Sequence, residues 1–231
     1  LKLFIAHKDT FGEKLKLILD RQDINCINAS VIFDILPYQQ SQELEQITCA
    51  TNAWSKPEKK ILIGSKPRAF SIKDMVKVIK ACCTKNLHQE FSFLLLWPEK
   101  NGSRRIILDL YLLYLKYVQG KKVNVNYVGN LSPLAYNVLV MSCSHFILQP
   151  RGGASTARLF LKWAQGSVCI DKNSPNDFYF KEVMGLDTIS FNDYNQLAEQ
   201  IESAVTNVNK NAALTIEEER SSIDVLATIY S

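Results

Sequence analysis

From Lys59 onward the sequence alternates between short, continuous apolar runs and longer stretches whose apolar residues recur at helical spacing. Runs that are apolar on both faces fit parallel strands covered above and below, and the stripes between them fit the crossover helices that such strands require. The runs are KILIGS, FSFLLLW, KVNVNYVG, HFILQP and SVCI. Helices are predicted over 71–83, 103–118, 132–142, 153–165 and 192–208. Their starts carry local signals: Ser71 as an N-cap with Asp74 three residues on, Ser132 followed by Pro133, and Asn192 or Asp193 ahead of the last helix. Pro98 stops the second run and Gly166 ends the fourth helix. Five strand-then-helix units in a row predict an α/β fold with a Rossmann-like, doubly wound parallel sheet.

Before this regular half, LKLFIA reads as a buried strand, 11–19 as a helix, and INCINASVIF as extended. Pro37 and a polar run to Gln46 then read as a linker or an isolated helix. The chain is thus expected to divide into an N-terminal strand-helix-strand segment with a linker (1–58), a Rossmann-like domain (59–208) and a helical tail (209–231) that closes as one amphipathic helix. A strand pattern beginning at Leu1 reads as a chain cut from a longer one.

Charge and cysteine usage narrow the classes of function. A net charge of +4 with 22% charged residues makes no demand for a nucleic-acid partner and suggests only a weak preference for anionic ligands or anionic lipid surfaces. The six cysteines lie in apolar stretches without metal-ligand or disulfide-framework spacing, which predicts reduced core residues, no metal site and a cytoplasmic location. No apolar run reaches the ~18–20 residues that a spanning helix needs.

In a doubly wound sheet, ligands bind outside the carboxyl ends of the strands, so the loops there are the candidate sites. One is the loop after the first strand of the regular half, where Gly64, Ser65, Lys66, Pro67 and Arg68 bring a glycine, a hydroxyl and two cations. The other is the run Arg151, Gly152, Gly153, Ala154, Ser155, Thr156, which leads from the fourth strand into a helix. Unpaired N–H groups and a partial positive charge at a helix N-terminus attract anions, glycines admit a phosphate close to the backbone, and arginine adds a planar fork of donors. Neither loop is a Walker A sequence or a G-x-G-x-x-G dinucleotide fingerprint. Of the three histidines, His145 begins a strand, His7 ends one and His88 falls in a polar loop, and none has a nucleophile at triad-like spacing.

The stretch YVGNLSPLAYNVLVMSCSHFILQPRGGASTARLFLKWAQGSVCIDKN, 127–173, resembles the C-terminal, donor-binding domain of GT-B glycosyltransferases. Gly166-Ser167-Val168-Cys169 stands where those proteins carry a Gly-x-Pro-Val element. Within that superfamily, LFIAHKDTFGEKLK, KILIGSKPRAFSIKDMVKVI and DKNSPNDFYFKEVMGL are similar to the family that transfers 4-acetamido-4,6-dideoxygalactose from its TDP-sugar to a lipid-linked disaccharide. The likeness covers most of the chain except the tail. An N-terminal acceptor-binding domain and the E-x7-E motif of many retaining relatives are absent from it.

The resemblance implies that Gly64, Ser65 and Arg68 line the diphosphate and that Arg151, Gly152, Gly153, Ala154, Ser155 and Thr156 cap it. It further implies that the region 127–131, with Tyr127, Gly129 and Leu131, cradles the base and that the segment 173–178, beginning at Asn173, approaches the sugar. The donor would be a nucleoside-diphosphate sugar, with no cofactor and no metal, and the acceptor a glycan or lipid-linked sugar of bacterial surface polysaccharide synthesis. The missing N-terminal domain would supply the acceptor site, with peripheral contact at the inner face of the membrane. No catalytic base is identified. A noncatalytic Rossmann-like binding module, or a sugar-nucleotide epimerase-like enzyme, are the alternative readings.

Overall fold

The computed structural model describes residues 2–5, 8–28, 58–97, 102–164, 166–204 and 206–230. His7, the second half of the INCINASVIF run and the 37–46 stretch lie outside them. The N-terminal part is a β-α-β unit: β1 (Lys2–Ile5) and β2 (Asn25–Asn28) pair in parallel across helix α1 (Lys8–Ile18), a helix that begins three residues earlier than its apolar spacing indicates.

The regular half forms a six-stranded sheet from β3 (Glu58–Ile63), β4 (Ser92–Leu96), β5 (Val125–Val128), β6 (Cys143–Ile147), β7 (Ser167–Asp171) and β8 (Ile189–Phe191). The spatial order is β5-β4-β3-β6-β7-β8, and every pair is parallel. From β3 the chain winds outward through β4 and β5, then returns to the other side of β3 and winds outward again. The reversal lies between β3 and β6, and the crevice it opens at their carboxyl ends is where such sheets bind ligands.

The crossovers are α2 (Ile72–Thr84), α3 (Ser103–Val118), α4 (Pro133–Met141), α5 (Ala154–Trp163) and a short helix α6 (Pro175–Phe178) continued by a π-helical turn at Tyr179–Val183, and α7 (Tyr194–Ser203) comes after the last strand. Helix α8 (Val208–Tyr230) follows. Three of the starts are capped as their sequences predict: Ser71 accepts from the Asp74 N–H, Ser132 from the Ala135 N–H, and Asp193 from the Asn195 and Gln196 N–H groups. The short strand β8 is an element that periodicity did not signal.

Side chains alternate across the strands and build a core on each face of the sheet. Ile61, Ile63, Phe93, Leu95, Ile147 and Cys169 face α2, α3 and α7 with Val78, Ile79, Leu108, Leu115 and Leu197. Leu62, Leu94, Phe146, Val168 and Ile170 face α4 and α5 with Val140, Met141, Ala157, Phe160 and Leu161. Cys26, Cys82, Cys83, Cys143 and Cys169 are free and buried. His88, in a polar stretch of sequence, is buried too, because that stretch winds into a 3-10 turn at Leu87–Gln89. Among the described residues no helix is long and apolar enough to cross a membrane.

Candidate functional site

The two loops singled out from the sequence meet at the reversal between β3 and β6. The Gly64 N–H donates to the Ile147 carbonyl at 3.0 Å, the last rung between the two strands, and a φ of +77° then turns the chain out of the sheet. A side chain at Gly64 would stand 2.6 Å from the Ala69 Cβ, so the tight turn requires glycine on both counts.

Ser65 comes next, and each of its polar groups is engaged. Its N–H donates to Gln149 Oε1 at 3.0 Å, its Oγ accepts from Gln149 Nε2 at 2.7 Å, and its carbonyl accepts from the Tyr136 hydroxyl at 2.7 Å. Gln149 is buried, so this pair of bonds is shielded from water. The Tyr136 hydroxyl also lies 3.2 Å from Thr156 Oγ1 in the first turn of α5. Burial holds that phenol above its ordinary range, with the Thr156 contact acting weakly the other way, so it serves as a neutral donor.

Gly153 closes the arrangement. It is the N-cap of α5 with φ +82°, and a Cβ there would fall 2.5 Å from Gln149 Nε2 and 2.7 Å from Ser65 Oγ. Glycine brings no capping side chain, so α5 starts without one. A Cβ on Gly152 would have Lys66 Nζ as its neighbour at 3.9 Å, which places that ammonium beside the glycine turn. From the β7 side, buried Asn176 donates to the carbonyls of Gln149 and Gly152 at 3.0 and 3.3 Å, pinning the loop between them.

Beside this junction lies a cleft of about 340 Å³. Ser65, Lys66 and Pro67 line one side, Gly129, Asn130 and Leu131 the other, and Leu96, Val128 and Tyr136 also contribute. Helix N-terminus, lysine and glycine turn thus adjoin a partly apolar slot, an arrangement suited to an anionic group carrying a flat apolar one. Among the described residues no group of three or more His, Cys, Asp or Glu side chains is placed to hold a metal ion.

Of the candidate residues, Ser65, Gly129 and Leu131 line the cleft, and Gly64, Gly153 and Thr156 join it through the bonds and close approaches above. Arg151, Gly152 and Ser155 are exposed at the β6–α5 turn, with Ala154 half-buried beside them. Arg68 sits at φ +61° on the exposed outer part of the β3 loop. The Tyr127 ring is turned away toward α3, where its hydroxyl donates to Asp109 Oδ1 at 2.5 Å under the Arg105 guanidinium. Asn173 is exposed in the β7 loop, its N–H donating to Asp171. Lys66 belongs to the first candidate loop and Asn176 to the 173–178 segment, whereas Tyr136 and Gln149 act through tertiary bonds that no local pattern reveals.

A second cavity of about 130 Å³ lies between α5 and α8. There buried Arg158 donates to the Tyr179 hydroxyl at 2.8 Å, Tyr179 donates to Glu218 at 3.2 Å, and Lys162 pairs with Glu219. These bonds tie α8 to α5.

Solved structures similar to this one carry the same architecture. An α,α-trehalose-phosphate synthase (UDP-forming) from Burkholderia xenovorans, in complex with glucose-6-phosphate, superposes with a TM-score of 0.55 at 9% identity, over 86% of this chain and 48% of that one. A trehalose-6-phosphate structure from E. coli bound with UDP-2-fluoro glucose gives 0.52 at 8% identity, over 87% and 49%. The fold is that of a GT-B half. Sucrose-phosphate synthase from Thermosynechococcus elongatus adds a TM-score of 0.51 at 15% identity, over 97% of this chain and 54% of that one. The chain therefore spans about half the length of these glycosyltransferases. No protein-family model and no curated protein matches the sequence.

Proposed function

We propose that the chain is the donor-binding half of a glycosyltransferase that uses a nucleoside-diphosphate sugar. The observation that carries this is the junction at the sheet reversal, where Gln149 locks Ser65 against the glycine turn that opens α5. The diphosphate would lie against Ser65, Lys66, Gly152 and Gly153, with Arg151 gripping its oxygens and the α5 N-terminus facing it. The base would enter the slot at Gly129 and Leu131, and the sugar would extend toward Asn173. In the transition state, negative charge grows on the departing diphosphate, and donors already held in place stabilise it without reorganising. Those side chains and the helix end would make a bound metal or cofactor unnecessary.

Among the described residues no carboxylate or histidine lines the cleft, so the group that activates the acceptor hydroxyl would come from the other half of the enzyme. The acceptor itself is proposed to be a glycan or a lipid-linked sugar of a bacterial surface polysaccharide, met at the cytoplasmic face of the membrane. The same lack of a carboxylate or histidine among the described lining residues favours a second reading, a binding module that keeps the nucleotide site and performs no transfer.

Calorimetric titration with TDP, UDP, GDP and NAD tests the donor site. One nucleoside diphosphate is expected to bind saturably and NAD not at all, with Arg151→Ala weakening binding by about 10–100-fold, the scale of a charge-assisted contact. Binding by none of them, or by NAD alone, would sink the assignment. Release of free sugar from the matching nucleotide-sugar would separate the enzyme from the binding module.

A further inference from the structure

The cavity between α5 and α8 has a third wall, formed by Asn137 of α4. Thr156 of α5 lines it as well and meets the Tyr136 hydroxyl of the donor cleft at 3.2 Å, so one polar contact stands between the two spaces. Helix α4 reads PLAYNVLVM, apolar apart from the Tyr136 hydroxyl and the Asn137 amide. Asn137 is only 6% exposed, and among the described residues its amide has no hydrogen-bond partner. A leucine would suit that position of the helix better, and an amide is costly there unless something bonds to it.

The wall itself selects the chemistry of the occupant. Arg158 donates to Tyr179, Tyr179 donates to Glu218, and Lys162 pairs with Glu219, so two cations are matched by two carboxylates and each is already engaged. An ionic ligand would have to displace one of these partners, whereas a neutral one leaves them in place. The remaining polar groups are of mixed character: the Asn137 amide donates and accepts, and so do the hydroxyls of Ser155 and Thr156. Ligand hydroxyls do both too, so several of them on one small frame match this wall, while a purely apolar molecule would leave the amide unbonded. Leu159 and Trp163 supply apolar surface for the C–H side of such a frame. The cavity measures about 130 Å³. A volume of about 150 Å³ takes a single six-membered ring, which limits the ligand to one ring. Ser155 is exposed, so substituents can extend past it into solvent.

We propose that this cavity binds a neutral, polyhydroxylated six-membered ring, a monosaccharide or a cyclic polyol, with the Asn137 amide as its central hydrogen-bonding group. The site is distinct from the donor cleft and does not depend on what that cleft takes. Saturation-transfer NMR of the chain with glucose, myo-inositol, phenol and inorganic phosphate, each in turn, tests it. Glucose or inositol is expected to bind saturably at about millimolar strength, the scale for a ligand of roughly a dozen heavy atoms, and the preferred one tells sugar from cyclic polyol. Asn137→Leu is expected to weaken that binding about tenfold or more and to raise the melting temperature of the ligand-free chain, since an unbonded buried amide gives way to an apolar group of similar size. Leu159→Phe, which narrows the cavity with the amide intact, is expected to weaken binding similarly; should either variant unfold, as its circular dichroism would report, the other decides. Binding of neither ring, tighter binding of phenol or phosphate, or ring binding that survives both substitutions would overturn the proposal. So would ring binding that Arg151→Ala weakens and Asn137→Leu does not, since the ring would then sit in the donor cleft. A melting temperature lowered by Asn137→Leu in a chain that binds neither ring would mean that water alone bonds the amide.

Discussion

His145 shows what burial does to a single side chain. It lies in β6 between Ile61 of β3 and Ser167 of β7, with Phe91 edge-on at 5.5 Å and Ser144 Oγ 3.0 Å from its Nδ1. Burial lowers its pKa from 6.5 to about 4, because the imidazolium form is the one that loses hydration. The folded state then binds fewer protons than the unfolded one over that interval. The stability it contributes is fully present above pH 6.5 and is lost as the pH falls from 6.5 to about 4. The loss is on the order of 3 kcal/mol at one pKa unit per ~1.4 kcal/mol. Denaturant titrations from pH 7 to 4 are expected to show this decline, and His145→Phe to flatten it; an equal slope in both would refute the assignment. A strand-start histidine without a nucleophile partner reads as structural from sequence alone, and its packing agrees. Gln149 is the opposite case: nothing in HFILQP distinguishes it, because its role exists only once β3 lies alongside β6.

Elements begin where local chemistry says and end where neighbours allow. Ser71 illustrates the first half: it accepts the Asp74 N–H at 3.1 Å while its own hydroxyl donates to the Asp74 carboxylate at 2.5 Å, all within four residues. Ser71→Ala is expected to destabilise the chain by about 1 kcal/mol, the usual loss for an N-cap hydroxyl, measured as a shift in the denaturation midpoint at unchanged slope. A change under a few tenths would mean that another group takes over the cap. Strand limits follow pairing instead. β6 starts at Cys143, two residues before the apolar run suggests, because Cys143 is level with Glu58 of β3. β5 starts only at Val125, the partner of Phe93, although KVNVNYVG begins earlier. The three-residue β8 has too few positions to establish a period and forms against the edge offered by β7.

At the scale of the whole molecule, a ligand that binds only the folded chain must stabilise it by mass action. If the cleft takes a nucleoside diphosphate, that ligand at 100 times its dissociation constant should add about 2.7 kcal/mol and raise the melting temperature, while NAD leaves it unchanged. A ligand that binds calorimetrically without moving the transition would be binding the unfolded chain as well. The same scale divides what could be read in one dimension from what could not. Apolar periodicity, caps and turn glycines act over a few residues, so the α/β class, the strand-helix alternation and the positions of both candidate loops were determined by the sequence itself. The sheet reversal, the Ser65–Gln149–Tyr136–Thr156 bonding, the turning of Tyr127 toward α3 and the cavity between α5 and α8 were decided only by the tertiary structure. Each depends on which surfaces segments distant in sequence bury against one another, and a local pattern contains no record of that.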